Sequence, residues 1–498
     1  MDSCIRLINP SNICSGFAAV TPRWMPIIAG ATPAQFADRL VLLDEAIEPI
    51  DYDEIQSTDL VALSVHTLNA RRAYEKIQRI KETSGATVIV GGIHATIFPE
   101  EVLDHGADTV VTGDGDLVWV DVVNDFFNGT LQRLYHGGRI GGPDFVSRPR
   151  WDLMKHERYL MASVHTTRGC PENCSFCSVW VTDGRQMRIR PTDDIIDEIN
   201  TLCSLGFRFF ILADDNFYAV GKKNQKAYQQ VMEQRYELMD RLAMDVPSEA
   251  KFFTQTTLRV ADDLEFLKAM EKARIRGALV GIESVDRDGL QSIKKEFNKT
   301  GQDLIDAIAR MQAHQVYVLG SFIVGLEPDT EETFETMARV ANASHMAFAQ
   351  FVKYTPFPGT VDWFHMINNK LPIKLAPGME RYWLLEKMGL PSRHPRLQPE
   401  EIQNALRFLW DGFYSTPQIM KRARRIGLTR PSALLAYWLI SKIYKKIYFR
   451  HGITADSART VEADRLVKLL GNWALRLFKA KGRPDPPGLG LTEVREPM

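Results

Sequence analysis

Apolar positions recur along the first third of the chain with two alternating periods. Residues 5–11 (IRLINPS), 60–67 (LVALSVHT), 86–92 (ATVIVGG) and 108–116 (DTVVTGDGD) are short apolar runs that end in polar residues or glycine, as buried strands do where they enter loops. Between them, residues 69–85 (NARRAYEKIQRIKETSG) carry apolar side chains at helical spacing and close on Gly85, a helix stop. Residues 99–106 (PEEVLDHG) open on Pro99 and predict a second, shorter helix, and 117–129 (LVWVDVVNDFFNG) a third. Strands alternating with helices predict a parallel sheet covered on both faces, with its ligand site beyond the carboxyl ends of the strands. The loops at 64–69, 91–96 and 112–116 fall on that edge and are rich in Gly, Ser, Thr and Asp.

The alternation resumes after residue 190. A helical stretch at 191–205 leads through Gly206 to a strand at 207–217 (FRFFILADDNF). Further strands follow at 252–258, at 277–282 (ending on Glu283 and Ser284), around 320–325, and at 350–360, with helices between them. The expected division is an α/β domain at 1–150, a second α/β unit at 151–370 and a helical region at 371–498.

Composition narrows the class. The 498 residues are 45% hydrophobic and 25% charged, as in a soluble globular protein. A formal net charge of −1 offers no global field for nucleic acid. The start, MDSCIRLINPS, lacks a basic stretch followed by an apolar one, and no apolar run approaches the ~18–20 residues of a membrane span. A cytoplasmic location is expected. Six cysteines in this length do not make a disulfide scaffold, and three of them crowd into eight residues.

Those three are the sharpest chemical signal. In His165-Thr-Thr-Arg-Gly-Cys170-Pro-Glu-Asn-Cys174-Ser-Phe-Cys177 one loop offers three thiolates, enough to hold an iron–sulfur cluster and leave one iron open. A structural zinc site is the competing reading, but zinc wants four closed ligands, and no fourth Cys or His follows at a fixed short spacing. Three buried thiols are the plainer alternative. Asp214 and Asp215 end the strand that follows; carboxylates there suit an ammonium group, or simply cap a turn. Arg185, Arg188 and Arg190 follow the loop and suit either an anionic ligand or a salt-bridged face. Cys203 lies in a helical apolar pattern and is expected to be a small buried hydrophobe.

The C-x3-C-x2-C spacing resembles the radical S-adenosylmethionine superfamily. The resemblance implies a partial (β/α)6 barrel whose reacting groups gather at the strand ends. It implies that Cys170, Cys174 and Cys177 hold a 4Fe-4S cluster, and that Asp214 and Asp215 meet the methionine ammonium of S-adenosylmethionine. It also implies that Glu283 and Ser284, in GIES, lie near the ribose, and that the reduced cluster yields a 5′-deoxyadenosyl radical. Residues 1–130, through GGIHAT (91–96), resemble the Rossmann-like cobalamin-binding domain that precedes many such barrels. Gly91, Gly92, His94 and Thr96 are then the expected cofactor contacts. No Asp-x-His-x-x-Gly motif is present, so neither His66 nor His94 is assigned as a cobalt ligand, and a cofactor-free scaffold stays open. No GxGxxG follows the first strand, which argues against a dinucleotide. The implied activity is functionalisation of an unactivated carbon, chiefly C-methylation by methylcobalamin. Ring closure or rearrangement, as in the porphyrin-ester cyclases, is the alternative. A non-catalytic cluster sensor and an RNA-modifying enzyme are weaker readings. An external electron donor such as flavodoxin or ferredoxin is implied.

Residues 421–450 contain nine Lys or Arg and no Asp or Glu, around an apolar octet at 433–440, and 465–481 are again basic, apolar and Trp-bearing. Such stretches suit either a peripheral anionic membrane contact, near a lipid or other apolar substrate, or ordinary packing with a basic outer face. The Pro- and Gly-rich end is expected to be disordered.

Overall fold

The computed structural model describes residues 3–11, 14–141, 145, 148–218, 225–384 and 391–451. The strands in chain order are β1 (Ile5–Asn9), β2 (Ala18–Val20), β3 (Leu40–Asp44), β4 (Leu60–Ser64), β5 (Thr87–Gly91), β6 (Thr109–Thr112), β7 (Leu134–His136), β8 (Tyr159–Val164), β9 (Thr167–Arg168), β10 (Arg188–Ile189), β11 (Phe209–Leu212), β12 (Lys251–Thr256), β13 (Ile275–Glu283), β14 (Tyr317–Val324) and β15 (Phe348–Lys353). Six form an all-parallel sheet in the order β3-β1-β4-β5-β6-β7. Its strands are apolar on both faces, as a sheet covered by helices requires. Leu60 and Ala62 of β4 face one core, while Val61 and Leu63 face another with Ala73, Tyr74, Ile77 and Ile80 of the helix Ala70–Thr83.

The second sheet runs β15-β14-β13-β12-β11-β8-β2. β8 pairs with β11, and from β11 to β15 each strand lies beside its sequence neighbour in parallel, giving the expected open (β/α)6 half-barrel; β9 and β10 form a separate antiparallel pair. One strand crosses the expected division: β2, from the first third of the chain, pairs with β8. The two units therefore share a core, in which Ile5, Leu7 and Met25 join Trp151, Tyr159 and Phe210. The Tyr159 hydroxyl, buried, donates to Asp44 at 2.9 Å across the junction. Each large side chain so buried contributes roughly 1.5–3 kcal/mol.

The helices after residue 398 cover the free edge of the half-barrel. An exposed edge strand offers unpaired backbone groups and must be blunted or covered. Here Trp410 Nε1 donates to the Phe351 carbonyl at 2.9 Å, Tyr414 donates to Ala349 O at 2.8 Å, and Tyr437 donates to Ala347 O. The helical region is thus a cap on β15. Among the described residues no helix is long and apolar enough to cross a membrane.

Candidate functional site

The loop joining β8 to the cysteines is held from beneath. Asp214, fully buried at the end of β11, accepts the amide protons of Thr166 (2.7 Å) and Thr167 (3.0 Å) and the Thr166 hydroxyl. Arg235, also fully buried, pairs with Asp214 at 2.9 Å, donates to both threonine hydroxyls and stacks on Phe217. The carboxylate expected to meet an ammonium is therefore already consumed in fixing the cluster loop. Asp215 is the one left facing open space. Burial, with Asp183 and Asp214 nearby, raises its pKa to about 7, against one amide proton from Gly169.

Cys170, Cys174 and Cys177 are free thiols beyond that anchor. Cys170 N–H donates to Gly184 O at 3.1 Å and Cys177 N–H to Cys174 O at 3.2 Å, so the loop is folded back on itself. Burial pushes Cys170 and Cys174 up to about 12 and raises Cys177, and the Cys177 thiol adds to the rise at both others. Lys295, buried against Glu283 at 2.8 Å, is the nearby cation that opposes the rise at Cys174 and Cys177. Such buried thiols become thiolates only with further positive charge, which bound iron supplies as protons leave. Three thiols on one loop, with no fourth Cys or His following at short spacing, are the donor set of a cluster rather than of a closed four-ligand zinc site.

A cavity of about 460 Å³ lies between the residues that flank this loop and the carboxyl edge of the first sheet. Gly91, Gly92 and Thr96 line it from the sheet, and His165, Arg168 and Asp215 from the half-barrel. Gly92 sits at φ +99°, where a Cβ would stand 2.6 Å from the Val65 carbonyl; only glycine lets the ends of β4 and β5 approach. Apolar walls from Ile27, Ile28 and Val111, with backbone edges at Gly113 and Gly115, suit the flat face and amide rim of a corrin. His94 does not line the cavity: its ring is fully buried, held by Tyr74 (3.0 Å), Thr67 (3.3 Å) and Glu101 (3.1 Å). His66 does line the cavity. Glu283 and Ser284 lie outside its walls. Glu283 binds Lys295, and the Ser284 hydroxyl accepts the Asp286 amide proton at 3.4 Å.

Sequence reasoning passed over the charged wall between the two units. Asp114, from the loop after β6, pairs with Arg168 (2.5 Å) and Arg188 (2.6 Å), and Asp116 pairs with Arg168 at 3.3 Å. Arg188 and Arg190, the latter buried on Glu198, are committed to ion pairs, whereas Arg185 is exposed and donates to Pro171 O at 3.2 Å. Arg23 NH1 donates to His165 Nδ1 at 2.6 Å. Burial and the neighbouring Arg23, Arg168 and Arg190 hold His165 neutral, well below the usual histidine range. With Nδ1 accepting, the proton of the neutral ring sits on Nε2, which makes it a hydrogen-bond donor. Nothing local in the sequence joins residues 23 and 165.

Comparison with known proteins agrees with this geometry. Residues 164–341 match the family model of the radical SAM superfamily, and 18–123 match that of the B12 binding domain. The chain thus carries a radical SAM domain behind a B12 binding domain. It is 26% identical over 349 residues to bacteriochlorophyllide d C-12(1)-methyltransferase of Chlorobaculum tepidum, covering 67% of this chain and 71% of the relative. It is 28% identical over 397 residues to the anaerobic magnesium-protoporphyrin IX monomethyl ester cyclase of Cereibacter sphaeroides, covering 72% of this chain but only 62% of the cyclase. Its fold matches the radical S-adenosylmethionine methyltransferase TsrM of Kitasatospora setae, solved with tryptophan substrate and a SAM analog. That match has a TM-score of 0.65 at 16% identity and covers 95% of this chain and 96% of TsrM.

Proposed function

We propose that this enzyme methylates an unactivated carbon of a small-molecule or lipid substrate, using a 4Fe-4S cluster on Cys170, Cys174 and Cys177 and a cobalamin on the first sheet. One observation carries the reading: Gly91, Gly92 and Thr96 share a single cavity with His165, Arg168 and Asp215 beside the cysteine loop. Bound there, the cofactors supply reductive cleavage of the sulfonium and delivery of the methyl group. Asp214 with Arg235 positions the loop, and Asp215 receives the methionine ammonium, whose charge draws its carboxyl toward the ionised form. The Asp114–Arg168–Arg188 pairs keep the cofactor loops facing each other, and His165 Nε2–H offers a fixed donor to whatever enters. Electrons come from an external donor such as flavodoxin or ferredoxin. The basic C-terminal region is proposed to bring an apolar substrate within reach at a membrane surface.

The cyclase relative supports ring closure as the second reading. Anaerobic incubation with reductant, S-adenosylmethionine and candidate substrates separates the two. Methylation is expected to give 5′-deoxyadenosine together with S-adenosylhomocysteine. Deoxyadenosine without S-adenosylhomocysteine favours cyclisation, and formation of neither product leaves only the sensor reading.

A further inference from the structure

The helix Pro431–Lys445 leaves an aliphatic stripe uncovered. On a 3.6-residue repeat, Leu435, Leu439 and Ile443 stack along it, with Ile440 beside it and Ile447 in the turn that follows the helix. Leu435, Ile440 and Ile447 are 57%, 45% and 40% exposed. The opposite side faces the protein, where Leu434 and Trp438 pack beside hydroxyl-bearing residues. Tyr437 and Ser441 are buried there, Tyr437 donates to Ala347 O, and Tyr444 donates to Gln350 at 3.4 Å. A helix that only covered β15 would bury its aliphatic stripe and expose its hydroxyls. Exposed apolar stripes of this kind mark an interaction surface.

We infer that this stripe is a docking surface for an anionic lipid membrane. Charge selects the occupant. Residues 421–450 hold nine Lys or Arg and no Asp or Glu, and Lys421, Arg424, Arg425 and Arg430 are exposed. Two copies of this face repel one another. So does the apolar stretch at 465–481 of the same chain, which carries five Lys or Arg and no acid. A bilayer with acidic headgroups satisfies both the aliphatic stripe and the positive charge of the helix Thr416–Arg425 packed beside it. The structure also narrows which basic residues take part. Arg422 does not: it is fully buried, stacked on Phe413 and bonded to Phe413 O at 2.8 Å. Lys442 donates inward to Tyr414 O at 2.8 Å and Lys445 pairs with Asp411. Lys421, Arg424, Arg425 and Arg430, all exposed, are the residues assigned to the lipid-facing charge. This surface is independent of the chemistry inside the half-barrel.

The test is cosedimentation of the full chain with phosphatidylcholine vesicles, with and without phosphatidylglycerol. Wild type is expected to partition onto the phosphatidylglycerol vesicles at low salt and to leave them at high salt. Changing Leu435, Ile440 and Ile447 together to Gln is expected to weaken partitioning at least ~tenfold by removing the inserted surface. Changing Lys421, Arg424 and Arg425 to Gln should weaken it by about a hundredfold at low salt. All six sites are exposed, so both variants should keep the wild-type far-ultraviolet spectrum and Tm, which are measured alongside. No partitioning of wild type at low salt overturns the inference, as does partitioning of the aliphatic variant at the wild-type level. A wild-type dimer in analytical ultracentrifugation that the aliphatic variant converts to monomer assigns the stripe to a second copy instead.

Discussion

With Cys170, Cys174 and Cys177 all changed to alanine, the protein is expected to lose its iron and to stop cleaving S-adenosylmethionine. The expected fall in cleavage is at least ~10³-fold, more than ~4 kcal/mol in the barrier, because the group that delivers the electron has no remaining protein ligand. The fold should survive. The cysteines lie in a loop outside the strands, and alanine leaves the Cys170–Gly184 and Cys174–Cys177 backbone bonds intact. Iron analysis after anaerobic reconstitution, far-ultraviolet circular dichroism and a deoxyadenosine assay check the three statements. A folded triple variant that keeps a cluster removes these residues from the site.

Asp214→Ala is expected to damage the protein in a different way. The substitution leaves the Arg235 guanidinium fully buried without its counter-charge and takes the acceptor from the amides of Thr166 and Thr167. Removing one partner of such a buried pair costs ~3–5 kcal/mol. The Tm should fall, and cluster loading should fall with it because β8 no longer delivers the loop in register. Asp215→Ala is the comparison: its carboxyl lines the cavity, so it should keep the Tm and lose affinity for S-adenosylmethionine. Calorimetry and binding titrations on the two variants check this. Equal Tm values would place Asp214 outside the support of the loop.

Strands whose apolar runs end in glycine or small polar residues were legible in the sequence: β4, β5, β6 and β11 lie within the expected segments, and β12 to β15 overlap theirs but begin earlier. The half-barrel was legible because each of its strands is followed by a helix of regular period. Other elements were not. The helix Trp24–Ala31 contains Pro26 and Gly30 and has no polar face, so no period marks it, yet Ile27 and Ile28 wall the cavity. Strand β3, LVLLD, was passed over although four apolar residues in a row were its signal. Strand β2 is three residues long and gains its place only by pairing with β8, with Ala18 opposite Tyr159, 141 residues later. At the site, neighbouring carboxylates looked equivalent in sequence. Burial separates them, turning Asp214 into a support and leaving Asp215 toward the ligand. His94 looked like a contact because it follows two glycines, but the helical turn that begins at Ile93 points its ring into the core.

The central claim is that one cavity joins a corrinoid on the first sheet to a cluster on the cysteine loop. Anaerobic purification followed by iron and corrinoid analysis, with hydroxocobalamin added to the full chain, tests it most directly. About four irons and about one corrinoid per chain are expected, with the visible spectrum of the corrinoid shifted on binding. A chain that loads its iron yet leaves hydroxocobalamin unbound at high micromolar concentration would contradict the claim, making the first sheet a scaffold and removing the main support for methyl transfer.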